Sequence, residues 1–264
     1  MHGSAINISP NFGTAADDYA KHRQGFPEEL YLRLEARGIV APGRVALDVG
    51  TGTGTVARSL AARGLTVTAL DPSLELLAKA DELAAREGVS LRTVQATAED
   101  TGLPSHSFDA VFAAQCFHWF DGPRAAREMH RILRPGGQVV VVHNDWLNRP
   151  GSASLLTRDL FDATGVEWPR AALVGHLGFY PQWTVPLEAA GFVELESFSF
   201  DVEVPYTQEG WIGRIRASAG MRIMTEAQRS AFEGTLARAL SERFEPVLLV
   251  PHRVFVLSGR KALS

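Results

Sequence analysis

Only one cysteine, Cys116, occurs in the 264 residues, which excludes an intrachain disulfide and any cysteine-rich metal site and makes a reducing, cytoplasmic setting the expectation. No apolar run approaches the roughly 20 residues needed to span a bilayer, so no membrane partner is expected. The opening Met-His-Gly-Ser-Ala-Ile-Asn has no basic start followed by an apolar stretch, so no export signal is expected. An excess of positive charge is missing too. The net charge of −4 argues against nucleic acid, which requires a basic surface. That balance is uneven: residues 205–264 hold nine Lys and Arg against five Glu. A positive C-terminal part facing a cofactor would favour an acidic substrate, although a solvated helix face explains the same charges. Repeats, low-complexity tracts and charged linkers are lacking as well.

Against these absences stands one dense stretch. Val45-Ala-Leu-Asp48-Val-Gly50-Thr51-Gly52-Thr-Gly54 is an apolar run of strand length that delivers an acid and then three glycines at alternate positions. Thr55-Val-Ala-Arg-Ser-Leu60 continues with helical spacing. A strand, a glycine turn and a helix N-terminus form a nucleotide cradle at the carboxyl edge of a parallel sheet. Gly52-Thr-Gly54-Thr-Val-Ala57 also fits the dinucleotide fingerprint G-x-G-x-x-A. Asp48, however, is a poor neighbour for a pyrophosphate and a good one for a cation.

The next βα unit supplies a second anchor. Thr66–Leu70 reads as a strand ending in Asp71, followed by Pro72-Ser73 and a helical pattern; an acid there accepts hydrogen bonds from ribose hydroxyls. A third strand, 91–96, runs into Thr97-Ala98-Glu99-Asp100. A fourth begins Phe108-Asp109, and Pro135-Gly136-Gly137 precedes the apolar Gln138–Val142. In this order these segments resemble class I S-adenosylmethionine (SAM)-dependent methyltransferases. Residues 12 to about 145, including Tyr19, Arg23 and the turn Gln115-Cys-Phe-His118-Trp119-Phe120, resemble the small-molecule subgroup that contains trans-aconitate methyltransferases.

The resemblance implies an α/β fold: a doubly wound, Rossmann-like seven-stranded sheet with the last strand antiparallel and an inserted helical lid. It implies SAM as cofactor and S-adenosylhomocysteine as product. Asp48, Gly50, Thr51, Gly52, Gly54, Asp71, Pro72, Ala98, Glu99, Gln115 and Arg23 would bind the cofactor. Thr97 departs from the pattern, since many relatives carry Asp there. Core segments are expected at 36–145, 182–204 and 252–264, with lid segments at 1–35, 146–181 and 205–251. The lid reading includes helices near 155–163, about 207–219 and 225–243. Trp183–Gly191 reads as a helix, Phe192–Val204 as a strand bulged near Ser197, and Arg253–Ser258 as the closing strand.

Of five tryptophans, Trp146, Trp168 and Trp211 fall in the lid segments, Trp183 borders one and Trp119 follows strand four; collectively they favour a flat or apolar acceptor. Methyl transfer from a sulfonium needs alignment above all, and an acceptor of high pKa needs a base as well. His118 and His143 follow strands four and five and are the candidate bases; Tyr19 is placed by resemblance at the methyl end. Cys116 reads as core. The expected function is methyl transfer to a small acidic or aromatic acceptor, at a carboxylate or hydroxyl oxygen, by a monomer or homodimer. An NAD(P) oxidoreductase, methylation at N, S or C, and a SAM-binding cyclase or regulator are the alternatives.

Overall fold

Val45–Val49 (β1) is buried along nearly its whole length, and a strand covered on both faces must also pair on both edges. It pairs in parallel with Thr66–Asp71 (β2) on one side and Phe108–Ala114 (β4) on the other. Arg92–Gln95 (β3) adds to β2, and Leu133–Trp146 (β5) adds to β4. Val247–Lys261 (β7) lies antiparallel between β5 and Phe192–Thr207 (β6). The sheet order is β3-β2-β1-β4-β5-β7-β6, the doubly wound seven-stranded arrangement expected from the sequence. These elements come from a computed structural model that describes residues 25–166 and 178–263.

Two faces of the sheet follow from strand alternation. Leu47, Val111, Val139 and Leu257 pack on one face with Met129 and Ile132 of Gly122–Ile132 (α4). Ala46, Phe112, Val140 and Val256 pack on the other with Leu30 and Leu34 of Glu28–Ala36 (α1) and Leu60 of Thr55–Ala62 (α2). Leu30, Tyr31 and Leu34 thus belong to the sheet's core, which corrects the lid assignment over residues 28–35. Leu74–Arg86 (α3) buries Leu76, Leu77, Ala80 and Ala84 and starts on Ser73, whose hydroxyl accepts from the Leu76 N–H.

The strands on the right run longer than their apolar patterns suggest. β5 continues through Trp146, β6 through Thr207, and β7 starts at Val247 rather than Arg253. The predicted bulge in β6 falls between Val193 and Glu196, where Glu194 takes a left-handed φ of 52°. The extended ends of β6 and β7 carry a third core. Phe161 of Ala153–Asp162 (α5), Trp211 and Ile215 of Gln208–Arg216 (α7), and Phe232, Leu236 and Leu240 of a helix at Glu226–Arg243 pack there with Leu248 and Val250. A short helix at Ala219–Arg222 (α8) precedes that long helix, α9, which opens with a Thr225–Gln228 capping box. Thr184–Ala189 (α6) follows a 3-10 turn at Pro181–Trp183 and covers the α4 side.

Candidate active site

β2 and β4 leave β1 on opposite sides, so the connections from their carboxyl ends diverge and open a crevice there. A cleft of about 470 Å³ occupies that position, within the range of small-molecule sites. It crosses the strand ends from Asp71 on β2 past Asp48 on β1, Gln115 after β4 and Asn144 on β5 to His252 on β7. With neighbouring strands about 4.8 Å apart, those four spacings amount to roughly 19 Å.

The three alternating glycines do different jobs. Gly50 has a φ of 64°, and a Cβ there would meet Cys116 at 2.9 Å, so this turn is packed shut from behind. Gly52, at φ 57°, would meet nothing within 4 Å; its bare main chain lines open space in the cleft. Gly54 does not line the cleft. A Cβ on it would lie 2.9 Å from Ala80, so it lets α2 and α3 approach, which corrects its assignment as a cofactor contact.

Two carboxylates frame that loop. Asp48 is 2% exposed and accepts hydrogen bonds from the Thr51 hydroxyl at 2.6 Å and the Ala57 N–H at 3.1 Å. Burial pushes its carboxyl up to about 7, with those two donors opposing and Asp71 adding to the shift. Asp71 accepts from the Gly52 N–H at 2.9 Å and the Ser73 N–H at 3.0 Å. Burial raises it too, against the pull of the two amides. Asp71 therefore ties the glycine loop to β2 while remaining open to the cleft.

Pro72, Ala98 and Glu99 line the same end, and Glu99 also accepts from the Asp121 N–H at 2.9 Å. In mid-cleft Gln115 takes a φ of 62°; its amide N–H donates to Val142 O and its side chain to Asn144 O at 2.6 Å. The Cys116 thiol donates to Val49 O at 3.1 Å and closes the wall behind Gly50. Asn144 Oδ1 is buried at the cleft without a hydrogen-bond partner among the described residues.

The far end was not legible from motifs. Tyr206 at the end of β6, Arg214 on α7 and His252 on β7 line it together. Arg214 rides over the Trp146 ring at 5.0 Å, and Trp146 packs edge-on against Trp211. Trp211 is fully buried and donates to the Thr157 hydroxyl at 2.9 Å, so α7 is firmly seated. His252 Nδ1 lies 2.8 Å from Val250 O. A carbonyl only accepts, so Nδ1 carries the proton and Nε2 keeps its lone pair. Burial holds His252 at about 4, with Arg214 lowering it further, and the ring is neutral at neutral pH. The sequence signal for these residues was the positive C-terminal charge alone.

His118 and His143 do not line the cleft. Their rings meet edge-on at 5.3 Å, and His143, 2% exposed, also faces the Tyr180 and Trp183 rings of the α4-side core. His143 Nε2 lies 3.2 Å from Asp145 Oδ1, while Tyr180 donates to the other carboxylate oxygen. Burial would raise Asp145, but His143 and Tyr180 hold it below the usual range. The base assignment of both histidines is thereby corrected: strand alternation turns His143 away from the cleft when it turns Asn144 towards it. Tyr19, Arg23 and Trp168 lie outside the described residues. Of the described tryptophans Trp119, 47% exposed, lines the cleft, whereas Trp183 and Trp211 are core.

Comparison with known proteins agrees with this layout. Residues 47–141 match a family model described as a methyltransferase domain. An uncharacterized methyltransferase of Mycobacterium tuberculosis is 39% identical over 144 residues, 54% of this chain and 56% of that protein. The malonyl-[acyl-carrier protein] O-methyltransferase of Enterobacter lignolyticus is 35% identical over 134 residues, 49% of this chain and 50% of that protein. The chain thus spans about half the length of the curated relatives it matches. A provisionally assigned type II methyltransferase from Anaeromyxobacter dehalogenans shares the fold with a TM-score of 0.68 at 28% identity, covering 92% of this chain and 99% of that one. Residues 47–141 thus match a methyltransferase-domain model, and the sheet into which they fold is shared with a methyltransferase of known structure.

Proposed function

We propose that this protein is a SAM-dependent methyltransferase that moves a methyl group to an oxygen, carboxylate or hydroxyl, of a small organic acceptor. The carrying observation is the crevice itself: a buried acid and an open glycine main chain at β1, with a second acid at β2 that braces the loop. The residues fit the cofactor in three respects. Gly52 leaves room for a ligand against bare backbone, an acid at Asp48 suits a cation better than a pyrophosphate, and Asn144 Oδ1 has no donor among the described residues. Asp48, Gly50, Thr51, Gly52, Asp71, Pro72, Ala98, Glu99 and Gln115 would hold it. The carboxylate-esterifying subgroup with trans-aconitate methyltransferases, and the Enterobacter O-methyltransferase, support oxygen as the acceptor atom.

When bound, SAM supplies a methyl group whose bond to sulfur breaks, with its electron pair going to sulfur, as an acceptor lone pair forms the new bond. The chain's own contribution is placement and dryness. Alignment of two reactants supplies roughly 7–11 kcal/mol of barrier lowering, which the rigid strand ends provide. Asp71 would accept from the ribose hydroxyls, and the cationic part of the donor would draw Asp48, which burial pushes up to about 7, into its charged form. A carboxylate acceptor needs no base, whereas a hydroxyl acceptor does; His252 Nε2 at the far end of the cleft keeps a lone pair that would accept from a part of the acceptor away from the donor end. We further propose that residues 146–181 and 205–251 act as a lid that excludes water.

Calorimetry with SAM and S-adenosylhomocysteine tests the reading, followed by transfer of labelled methyl to a panel of acids, phenols, amines and thiols. Binding of neither compound overturns it. Binding with an acceptor of unchanged mass as product would instead indicate a cyclase.

A further inference from the structure

The cleft is longer than its acid-and-glycine end, and its far end is cationic. Resting on the methyltransferase reading of the same cleft, we infer that Arg214 anchors the acceptor by a carboxylate, at a point remote from the atom that is methylated. The acceptor class is then bifunctional: a hydroxy acid or a dicarboxylic acid, gripped at one end and methylated at the other.

The argument begins with charge. Arg214 lines the cleft, and among the described residues no carboxylate lies within 4.0 Å of its guanidinium. Burial works against its charge, Tyr206 and then Asp145 support it, and the one carboxylate of these, Asp145, has both oxygens already engaged by His143 and Tyr180. Burial of an arginine without a direct counterion is costly, and a bidentate carboxylate is the partner its planar fork fits best. The head group is also preset. Trp146 supports it from below at 5.0 Å, and Trp146 is itself held by the fully buried Trp211. A guanidinium already fixed in place loses little freedom on capturing a ligand.

Position gives the second half. Asp48 on β1, Gly50 just after it and Gln115 after β4 mark the donor side, whereas His252 stands on β7, two strand spacings beyond β4. Two spacings are roughly 10 Å, so a group held beside His252 and Arg214 is not the group at the donor end. Neutral His252 offers a lone pair on Nε2 next to the cation. That atom suits a donor hydrogen on the acceptor and does not compete for the carboxylate. Tyr206, whose ring lies nearly parallel to that of His252 at 6.1 Å, provides a flat wall.

The test uses protein saturated with S-adenosylhomocysteine and two probes of one shape, benzoate and benzamide, followed by calorimetry or ligand-observed NMR. Benzoate is expected to bind about tenfold more tightly than benzamide, and Arg214→Gln to erase that preference. Arg214→Lys should keep part of it, and thermal melting reports whether each variant is folded. Equal binding of the two probes by the wild-type protein, or no benzoate binding, overturns the inference without recourse to any variant. Weakened S-adenosylhomocysteine binding in Arg214→Gln would overturn it as well, by making Arg214 a cofactor residue. Failure of the wild-type protein to bind S-adenosylhomocysteine is a separate result that removes the methyltransferase reading instead.

Discussion

Asp48 and Asp71, at one end of the cleft, belong to successive βα units and hold a single loop between them. Tyr206, Arg214 and His252, at the other end, come from three different elements, β6, α7 and β7. The first end is made by local chain geometry: a strand, a turn that needs left-handed φ, and a helix start. The second is made by tertiary assembly, because β7 inserts antiparallel between β5 and β6 and sets Trp146 opposite His252. A local motif can hold a cofactor common to many enzymes. An assembled end can vary its side chains without disturbing that motif, and it is the natural place for acceptor choice.

The largest expected effect breaks the local end. Gly50→Val forces a β-branched residue into a φ of 64° and drives its Cβ into Cys116. Strain and overlap together should destabilise the protein by about 4 kcal/mol and abolish S-adenosylhomocysteine binding. Gly52→Ala is the control, with a similar φ but open space around its Cβ. Its melting temperature should fall only by the equivalent of about 1 kcal/mol, while affinity drops because the methyl group occupies the cleft. Equal thermal losses in the two variants would contradict the division of labour among the glycines.

That division also shows what the sequence could and could not disclose. Strand order, the acid anchors and the glycine turn were readable because each depends on residues close in the chain. Gly54 fitted the same motif, yet its job is packing against Ala80, a partner no motif specifies. His143 was misread for want of strand phase: Asn144 faces the cleft, so its neighbour faces Tyr180 and Trp183. Arg214 and His252 were invisible as a pair because their meeting depends on the register of β7 and on α7 being seated by Trp211. The long ends of β6 and β7 were missed because they alternate into the third core rather than into the two faces of the central sheet.

Asp48 provides the next effect. Its carboxyl sits at about 7 in the fold against about 3.9 in an unfolded chain. Protonated Asp48 is the form the fold prefers, so its contribution is fully present below pH ~4 and is lost as pH rises towards ~7. Asp48→Asn should therefore match the wild-type protein at the acid end and exceed it by roughly 4 kcal/mol at pH ~8, without cofactor. Melting curves of both proteins across that range check it. A gap that does not grow between the two limits would mean that Asp48 is stabilised in its charged form by something other than a bound cation. Asp71→Ala comes next, weakening S-adenosylhomocysteine by about 1–3 kcal/mol in calorimetry through loss of an acceptor and of the brace on Gly52.

The smallest effect is expected where the sequence pointed to catalysis. His118 lies outside the cleft, against Trp119 at 4.7 Å and His143 at 5.3 Å. A general base contributes about 10²–10⁴ in rate, so its removal could not pass unnoticed. His118→Gln should leave kcat within about threefold on any acceptor the protein methylates, with a modest rise in KM through the neighbouring Trp119 ring. His252→Gln sharpens the contrast, because His252 lines the cleft and keeps a lone pair on Nε2. Two strand spacings, roughly 10 Å, separate it from the donor end, so that variant should raise the acceptor KM severalfold while kcat holds in both. A large loss from His118→Gln alone would move the chemistry to the opposite side of the strand ends, and with it the comparison between the two halves of the cleft.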